Sequence, residues 1–240
     1  MTAVNELPPA SAAGTGPAIA ARGLDVGFGA IPFVRELDLE VRRGEIVALL
    51  GANGAGKTTT LMGLAGVISP AAGHVEFGGA RATGPLHARA RRGLALLTQE
   101  RCVFMGLSVR DNIRVGGCDP EVALETFPEL KPHLKRTVGL LSGGQQQMLA
   151  VARAIARRPT VLLADELSLG LAPMIVDRIL QALTDACRRD QLGVLMVEQQ
   201  VAKVLAVADR GAVLRRGRLE LVDDAPALLS KMDVLRDLYL

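Results

Sequence analysis

Gly51-Ala52-Asn53-Gly54-Ala55-Gly56-Lys57-Thr58-Thr59 fits the pattern G-x-x-x-x-G-K-[ST]. Its flanks decide how it reads. Ile46-Val47-Ala48-Leu49-Leu50 before it is a continuous apolar run, as a strand buried on both faces would be. Leu61-Met62-Gly63-Leu64-Ala65 after it reads as helix. Strand, glycine loop and helix in that order are what a phosphate-binding loop requires, whereas a chance glycine turn would need neither neighbour. Glycines let a backbone approach a polyphosphate without Cβ clashes, and successive N–H groups at the helix start face the anion. Lys57 would reach the β- and γ-phosphates, and the Thr58 hydroxyl would coordinate Mg²⁺.

Three further apolar runs end in polar side chains, and Gln99 would emerge at the C-terminal edge where ligands sit in an open parallel sheet. Leu94-Ala95-Leu96-Leu97-Thr98 ends at Gln99. Val161-Leu162-Leu163-Ala164 ends at Asp165-Glu166, and Gly193-Val194-Leu195-Met196-Val197 at Glu198-Gln199-Gln200. Two acids downstream of a phosphate loop have a division of labour available. Asp165 would hold Mg²⁺, directly or through water, and Glu166 would act as general base toward the attacking water.

Outward from these runs, residues 1 to about 17 are rich in Ala, Pro, Gly and Ser and read as a disordered tail. Ala18 to Val26, and Val34 to Val41 with Leu37, Leu39 and Val41 alternating against Asp38 and Glu40, predict two strands of a small antiparallel sheet. Phe28 lies between them; its spacing alone favours a core position over stacking on a base. Gly73 to Phe77 reads as another strand, and the arginines from Arg81 to Arg92 as a solvated helix face. Residues 106–140 look helical but are broken by Pro120, Pro128 and Pro132. Leu141-Ser142-Gly143-Gly144-Gln145-Gln146-Gln147 then opens a helix, with Ser142 as N-cap and a second anion-binding helix end. Pro173 starts a helix with a stripe of Ile175, Ile179, Leu180 and Leu183. Val201 to Ala208 reads as helix, Ala212 to Leu221 as a hairpin turning near Gly217, and the segment to Leu240 as amphipathic helix.

The 240 residues suit one large domain or a domain with a subdomain, and a hydrophobic fraction of 49% supplies a core. No run approaches the ~18 apolar residues of a membrane span, and the N-terminus lacks the regions of a signal peptide; both predict a cytosolic chain. Cys102, Cys118 and Cys187 share no metal or redox spacing and read as reduced thiols. The net charge of +3 could suit nucleic acid, but an aromatic content of 2% offers no stacking platform, so no nucleic-acid partner is expected.

Taken in order, the phosphate loop, Gln99, Leu141-Ser142-Gly143-Gly144-Gln145 and Asp165-Glu166 resemble the ATP-binding cassette (ABC) ATPases. The L-S-G-G-Q signature is the specific feature, since phosphate loops occur in many families. The similarity runs from about Ala18 to Leu240. It is closer still to the second ATPase subunit of branched-chain amino-acid importers, through Phe127-Pro128-Glu129-Leu130, Ser142 to Ala150, Ser168-Leu169-Gly170-Leu171-Ala172-Pro173, Val197-Glu198-Gln199 and Ala208-Asp209-Arg210. The fold implied is an α/β P-loop NTPase over residues 18–240. It would have a mostly parallel core sheet, a small N-terminal antiparallel β-subdomain and a helical subdomain at roughly residues 101–158.

The resemblance also implies roles. ATP and Mg²⁺ would be the ligands, with residues 51–59 on the phosphates and Phe28 against adenine. Gln99 would touch Mg²⁺ and relay contact with a membrane subunit. Ser142, Gly143, Gly144 and Gln145 would meet the γ-phosphate held by a second ATPase subunit, identical or paralogous. Each site would then be split across a head-to-tail dimer. Transmembrane permease subunits and a substrate-binding protein are the further implied partners, on the cytoplasmic face of the membrane. Urea or short amides are alternative cargoes, and a non-transport ABC ATPase acting on ribosomes or DNA is an alternative class. Gln199 stands where many ABC ATPases have histidine. It can hydrogen-bond a γ-phosphate but cannot carry the same charge, so a slower site is expected. Leu167 replaces a common proline, and Thr98-Gln99-Glu100 follows the wider family rather than the subgroup.

Overall fold

The computed structural model describes residues 16–29 and 31–233. Of the expected tail only Gly16 and Pro17 lie in that range, and the end of the expected C-terminal helix lies outside it. The strands are β1 Ile19–Val26, β2 Val34–Val41, β3 Ile46–Leu50, β4 Ala72–Phe77, β5 Ala80–Arg81, β6 Leu94–Leu97, β7 Val161–Asp165, β8 Gly193–Val197, β9 Arg210–Arg215 and β10 Arg218–Asp224. The α-helices are α1 Lys57–Ala65, α2 Leu86–Arg91, α3 Val109–Val115, α4 Pro120–Thr126, α5 Gly143–Ala156, α6 Pro173–Asp190, α7 Val201–Leu205 and α8 Ala225–Ser230. Two 3₁₀ segments, Pro128–His133 and Val138–Leu140, fill the proline-broken stretch before α5.

The strands form two sheets. Six stand in the order β10-β9-β3-β8-β7-β6 and four in the order β2-β1-β4-β5. In the larger sheet every pair from β9 to β6 is parallel, and only the β9–β10 hairpin is antiparallel. The smaller sheet is antiparallel throughout. It uses the two strands expected before the phosphate loop and adds β4 and β5 from beyond it.

Period-two alternation explains how the layers stack. Along β3, Ile46, Ala48 and Leu50 join one core with α5 and α6, while Val47 and Leu49 join a second core with α1 and the smaller sheet. Strand β7 splits likewise, Leu162 and Ala164 facing one core and Val161 and Leu163 the other. A strand covered on both faces has no polar side, so its sequence is an unbroken apolar run. The segment from α3 to α5 shares the first core, through Val109, Ile113, Phe127, Leu130 and Leu149.

Two expectations are corrected. The Arg81–Arg92 stretch is not a uniformly solvated face. Arg89 is buried and donates to the backbone carbonyls of Gly63, Leu64 and Gly84. The Leu64 carbonyl lies in the last turn of α1, where a cation meets the negative end of the helix dipole. The helix from Val201 is also shorter than expected, ending at Leu205. No helix among the described residues is long and apolar enough to cross a membrane.

Candidate active site

Four neighbouring strands of the parallel sheet, β3, β8, β7 and β6, carry the candidate residues at their C-terminal ends. The phosphate loop follows β3, Glu198 and Gln199 follow β8, Asp165 closes β7 with Glu166 after it, and Gln99 follows β6. Sequence distance is removed by sheet order alone.

The loop is shaped by its glycines. Gly51 has φ 145°, and a Cβ there would lie 2.2 Å from the Leu214 carbonyl oxygen. Gly56, at φ 110°, is the N-cap of α1 and offers no side-chain cap. The first N–H groups of α1 therefore have no cap acceptor, the arrangement that receives an anion. Lys57 is buried, and its Nζ donates to the carbonyls of Gly51 at 2.7 Å and Ala52 at 2.9 Å. Burial lowers its pKa, and the nearby Glu166 and Asp165 oppose that shift.

Asp165 and Glu166 are both buried. Burial pushes the Asp165 carboxyl above its ordinary range; the Thr58 hydroxyl opposes the shift, Glu166 adds to it and Lys57 opposes it. Asp165 Oδ1 is buried with no hydrogen-bond partner. An orphaned acceptor of this kind costs about 1–3 kcal/mol or more. A hard cation would remove that cost. A carboxylate, the Thr58 hydroxyl and the Gln99 amide make an oxygen donor set that fits Mg²⁺.

Glu166 sits at φ 49°, a left-handed conformation rare for a non-glycine residue. Gln99 Nε2 and Gln199 Nε2 both donate to its Oε2, at 2.7 Å and 2.8 Å. No protein donor among the described residues reaches Oε1, so that oxygen is free to accept from water. Beside it, the buried Glu198 accepts from Ser168 N at 3.1 Å and from the Ser168 hydroxyl. Burial raises the Glu198 carboxyl, and those two donors oppose the rise. Glu198 was not a candidate from sequence, although an acid closing an apolar strand is the signal that singled out Asp165.

Other candidates lie apart from this cluster. Phe28 is 76% exposed, so the core position favoured by its spacing does not hold. Ser142 caps α5 in a closed capping box. Its hydroxyl accepts from Gln145 N at 3.3 Å, and Gln145 Oε1 accepts from Ser142 N at 3.0 Å. Gln145 Nε2 also pairs with His133 Nε2 at 3.0 Å. Gly143 packs under the Arg101 guanidinium, which donates to Gln146 Oε1 at 3.1 Å, and Gly144 packs on Ile175. Among the described residues no hydrogen bond links Ser142–Gln145 to residues 51–59. The three cysteines are free, and burial pushes the Cys187 thiol up to about 11, which leaves it inert.

Comparison with known proteins places the fold and the family. Residues 34–168 match the ABC transporter family. Over 223 residues the chain is 40% identical to the high-affinity branched-chain amino acid transport ATP-binding protein BraG of Pseudomonas aeruginosa, covering 89% of this chain and 95% of that protein. It is 35% identical to the probable branched-chain amino acid transport ATP-binding protein LivF of Archaeoglobus fulgidus, covering 86% of this chain and 92% of that one. It is also 37% identical to the lipopolysaccharide export ATP-binding protein LptB of Escherichia coli K12, covering 78% and 82%. In fold it resembles an ATP-binding cassette of an ABC transporter solved in its ADP conformation, with a TM-score of 0.82, 21% identity and coverage of 92% and 98%. The chain belongs to the ABC transporter family, as an ATP-binding and ATP-hydrolysing subunit.

Proposed function

We propose that this chain powers uptake of branched-chain or other small amino acids, hydrolysing ATP at the C-terminal ends of β3, β6, β7 and β8. The observation that carries the catalytic part is the convergence of Gln99 and Gln199 on Oε2 of Glu166. Two donors on one oxygen fix the carboxylate and leave Oε1 as the base. Water attacks the γ-phosphorus, Glu166 Oε1 takes its proton, and the bond to the β–γ bridging oxygen breaks to give ADP and phosphate. Lys57 is the cation of the phosphate loop, and the N–H groups of Gly54 and residues 56–59 receive the polyphosphate. Asp165, Thr58 and Gln99 would hold Mg²⁺. When bound, that ion neutralises charge on the β- and γ-phosphates. Phe28, exposed ahead of β2, is available to stack on adenine.

Ser142, Gly143, Gly144 and Gln145 complete the site of a second ATPase subunit. That no hydrogen bond among the described residues links them to residues 51–59 of their own chain supports this. Closure of the pair excludes water from the nucleotide, and hydrolysis reopens it. Permease subunits would dock near the exposed Phe104, Met105 and Leu107, which lie just after Gln99 in the chain. A chain docked in that way works at the cytoplasmic face of the membrane, with a substrate-binding protein delivering cargo to the permease from the other side.

The amino-acid cargo rests on the similarity to BraG and LivF. The test is reconstitution with copurified membrane subunits, measuring ATPase stimulation by a panel of amino acids, urea, amides and lipopolysaccharide. Stimulation by leucine, isoleucine or valine is expected. Stimulation by lipopolysaccharide alone, or copurification with ribosomes in place of permeases, overturns the assignment.

A further inference from the structure

Glu166 carries a backbone strain that something must hold. A non-glycine residue in the left-handed region costs of order 1 kcal/mol or more, and persists only where surrounding contacts over-determine it. Three consecutive residues at the end of β8 reach across to this turn. The Val197 carbonyl accepts from Glu166 N at 2.9 Å. The Glu198 carboxylate accepts from Ser168 N at 3.1 Å through Oε1, and from the Ser168 hydroxyl through Oε2. Gln199 Nε2 donates to Glu166 Oε2 at 2.8 Å. The first and second contacts bracket Glu166 by its backbone, and the third by its side chain.

Glu198 is the costly member of the three. It is 5% exposed, and apolar Leu167, Val176, Ile179, Leu180 and Met196 line the space it shares with Ser168. Nothing about packing calls for a carboxylate in such surroundings, and burying one is unfavourable unless its oxygens are paired. Its two oxygens are paired with Ser168, two places after Glu166, and the Leu167 backbone N–H lies against the same carboxylate. Ser168 is itself buried, so the link is shielded from competing water.

We propose that Glu198 is a positioning residue for hydrolysis. Its carboxylate clamps Ser168 and thereby holds Glu166 in the strained conformation that presents Oε1 to the water while Oε2 is fixed by Gln99 and Gln199. The clamp acts through Glu166. This rests on Glu166 being the base, as proposed above. Loss of the clamp relaxes the turn and moves the carboxylate, and misplacement by about 1 Å can cost on the order of a hundredfold in rate.

The test is steady-state ATPase of the full chain, purified with whatever transporter subunits accompany it, in the wild type and in Glu166→Gln, Glu198→Leu, Glu198→Gln and Ser168→Ala. Glu198→Leu is expected to lower kcat by roughly 10- to 100-fold with the KM for ATP within about twofold, because only the aim of the base is lost. Glu198→Gln should recover most of that loss, since its Oε1 can accept from Ser168 N while its Nε2 donates to the Ser168 hydroxyl. Ser168→Ala removes only the hydroxyl and should fall between them, which keeps the proposal testable if Glu198→Leu does not fold. A wild-type kcat in Ser168→Ala and in Glu198→Leu, with Glu166→Gln inactive, overturns the clamp and leaves the base assignment standing. Glu198→Gln no better than Glu198→Leu, or a rise in KM matching the fall in kcat, assigns Glu198 a structural role and also overturns it. Full turnover in Glu166→Gln removes the base assignment, and the clamp with it.

Discussion

Helices α1 and α5 both begin with glycines behind a polar turn, yet their starts are built in opposite ways. The start of α1 has no side-chain cap, and its lysine is folded back on the carbonyls of Gly51 and Ala52. The start of α5 is closed by a reciprocal capping box between Ser142 and Gln145. A helix end with free N–H groups and a buried cation is poised for an anion from its own side. A capped end is already satisfied by its own residues and can stand exposed at little cost. Glycine-rich helix starts are therefore not equivalent. One reads as the floor of a site and the other as a surface that meets a site from outside.

The largest effect concerns the side on which chemistry occurs. Glu166→Gln should lower ATP turnover by about 10²- to 10⁴-fold while leaving nucleotide binding in place, measured by steady-state hydrolysis beside equilibrium binding. Binding lost together with turnover would move Glu166 from the base role to the binding surface.

Next comes the division between the two helix starts. Lys57→Ala should weaken ATP binding by roughly 10- to 100-fold, the worth of a charge-assisted contact. Ser142→Arg should spare ATP binding to the chain but block closure. Each variant alone should be inactive, and mixing the two should restore turnover. A mixed head-to-tail pair has one site with an intact loop from one chain and an intact α5 start from the other. No recovery on mixing a demonstrated pair of chains would break the comparison, because both helix starts would then serve one chain.

A smaller effect tests what anchors α1. Arg89 donates to carbonyls of the last turn of α1 from a buried position. Arg89→Met should destabilise the fold by about 2–3 kcal/mol, read from denaturant midpoints, since buried carbonyls lose a charged donor. Near the end of α5, by contrast, Arg153 keeps its Nε buried without a hydrogen-bond partner. The smallest expected effect is at Gln199. Gln199→His should raise turnover severalfold by placing an ionisable donor beside Glu166, and an unchanged rate would show that the glutamine already suffices.

Much of the site was legible because buried parallel strands announce themselves as apolar runs, and the residues just past the C-terminal end of each run lie where ligands meet the sheet. Gly51–Thr59, Gln99, Asp165 and Glu166 were readable in this way, whereas Gln199 was singled out only by the family resemblance. Three features were not. The basic stretch 81–92 hid a buried arginine, because a charge run looks the same in sequence whether solvated or capping a helix. Phe28 looked like core by spacing, although it projects from a short connection. Glu198 carried the same strand-end signal as Asp165 but gained its partner, Ser168, only through the pairing of β7 with β8.

Sequence by itself determined the elements: local rules of periodicity, glycine and capping act over a few residues, and they set the strand–loop–helix and the capped start of α5. Tertiary structure decided the order of β3, β8, β7 and β6, and with it the meeting of two glutamines, from 67 and 33 residues away, on one oxygen of Glu166. Those contacts depend on which strands lie side by side. That choice is made by burying two faces of a sheet at once, a condition that no local stretch of sequence contains.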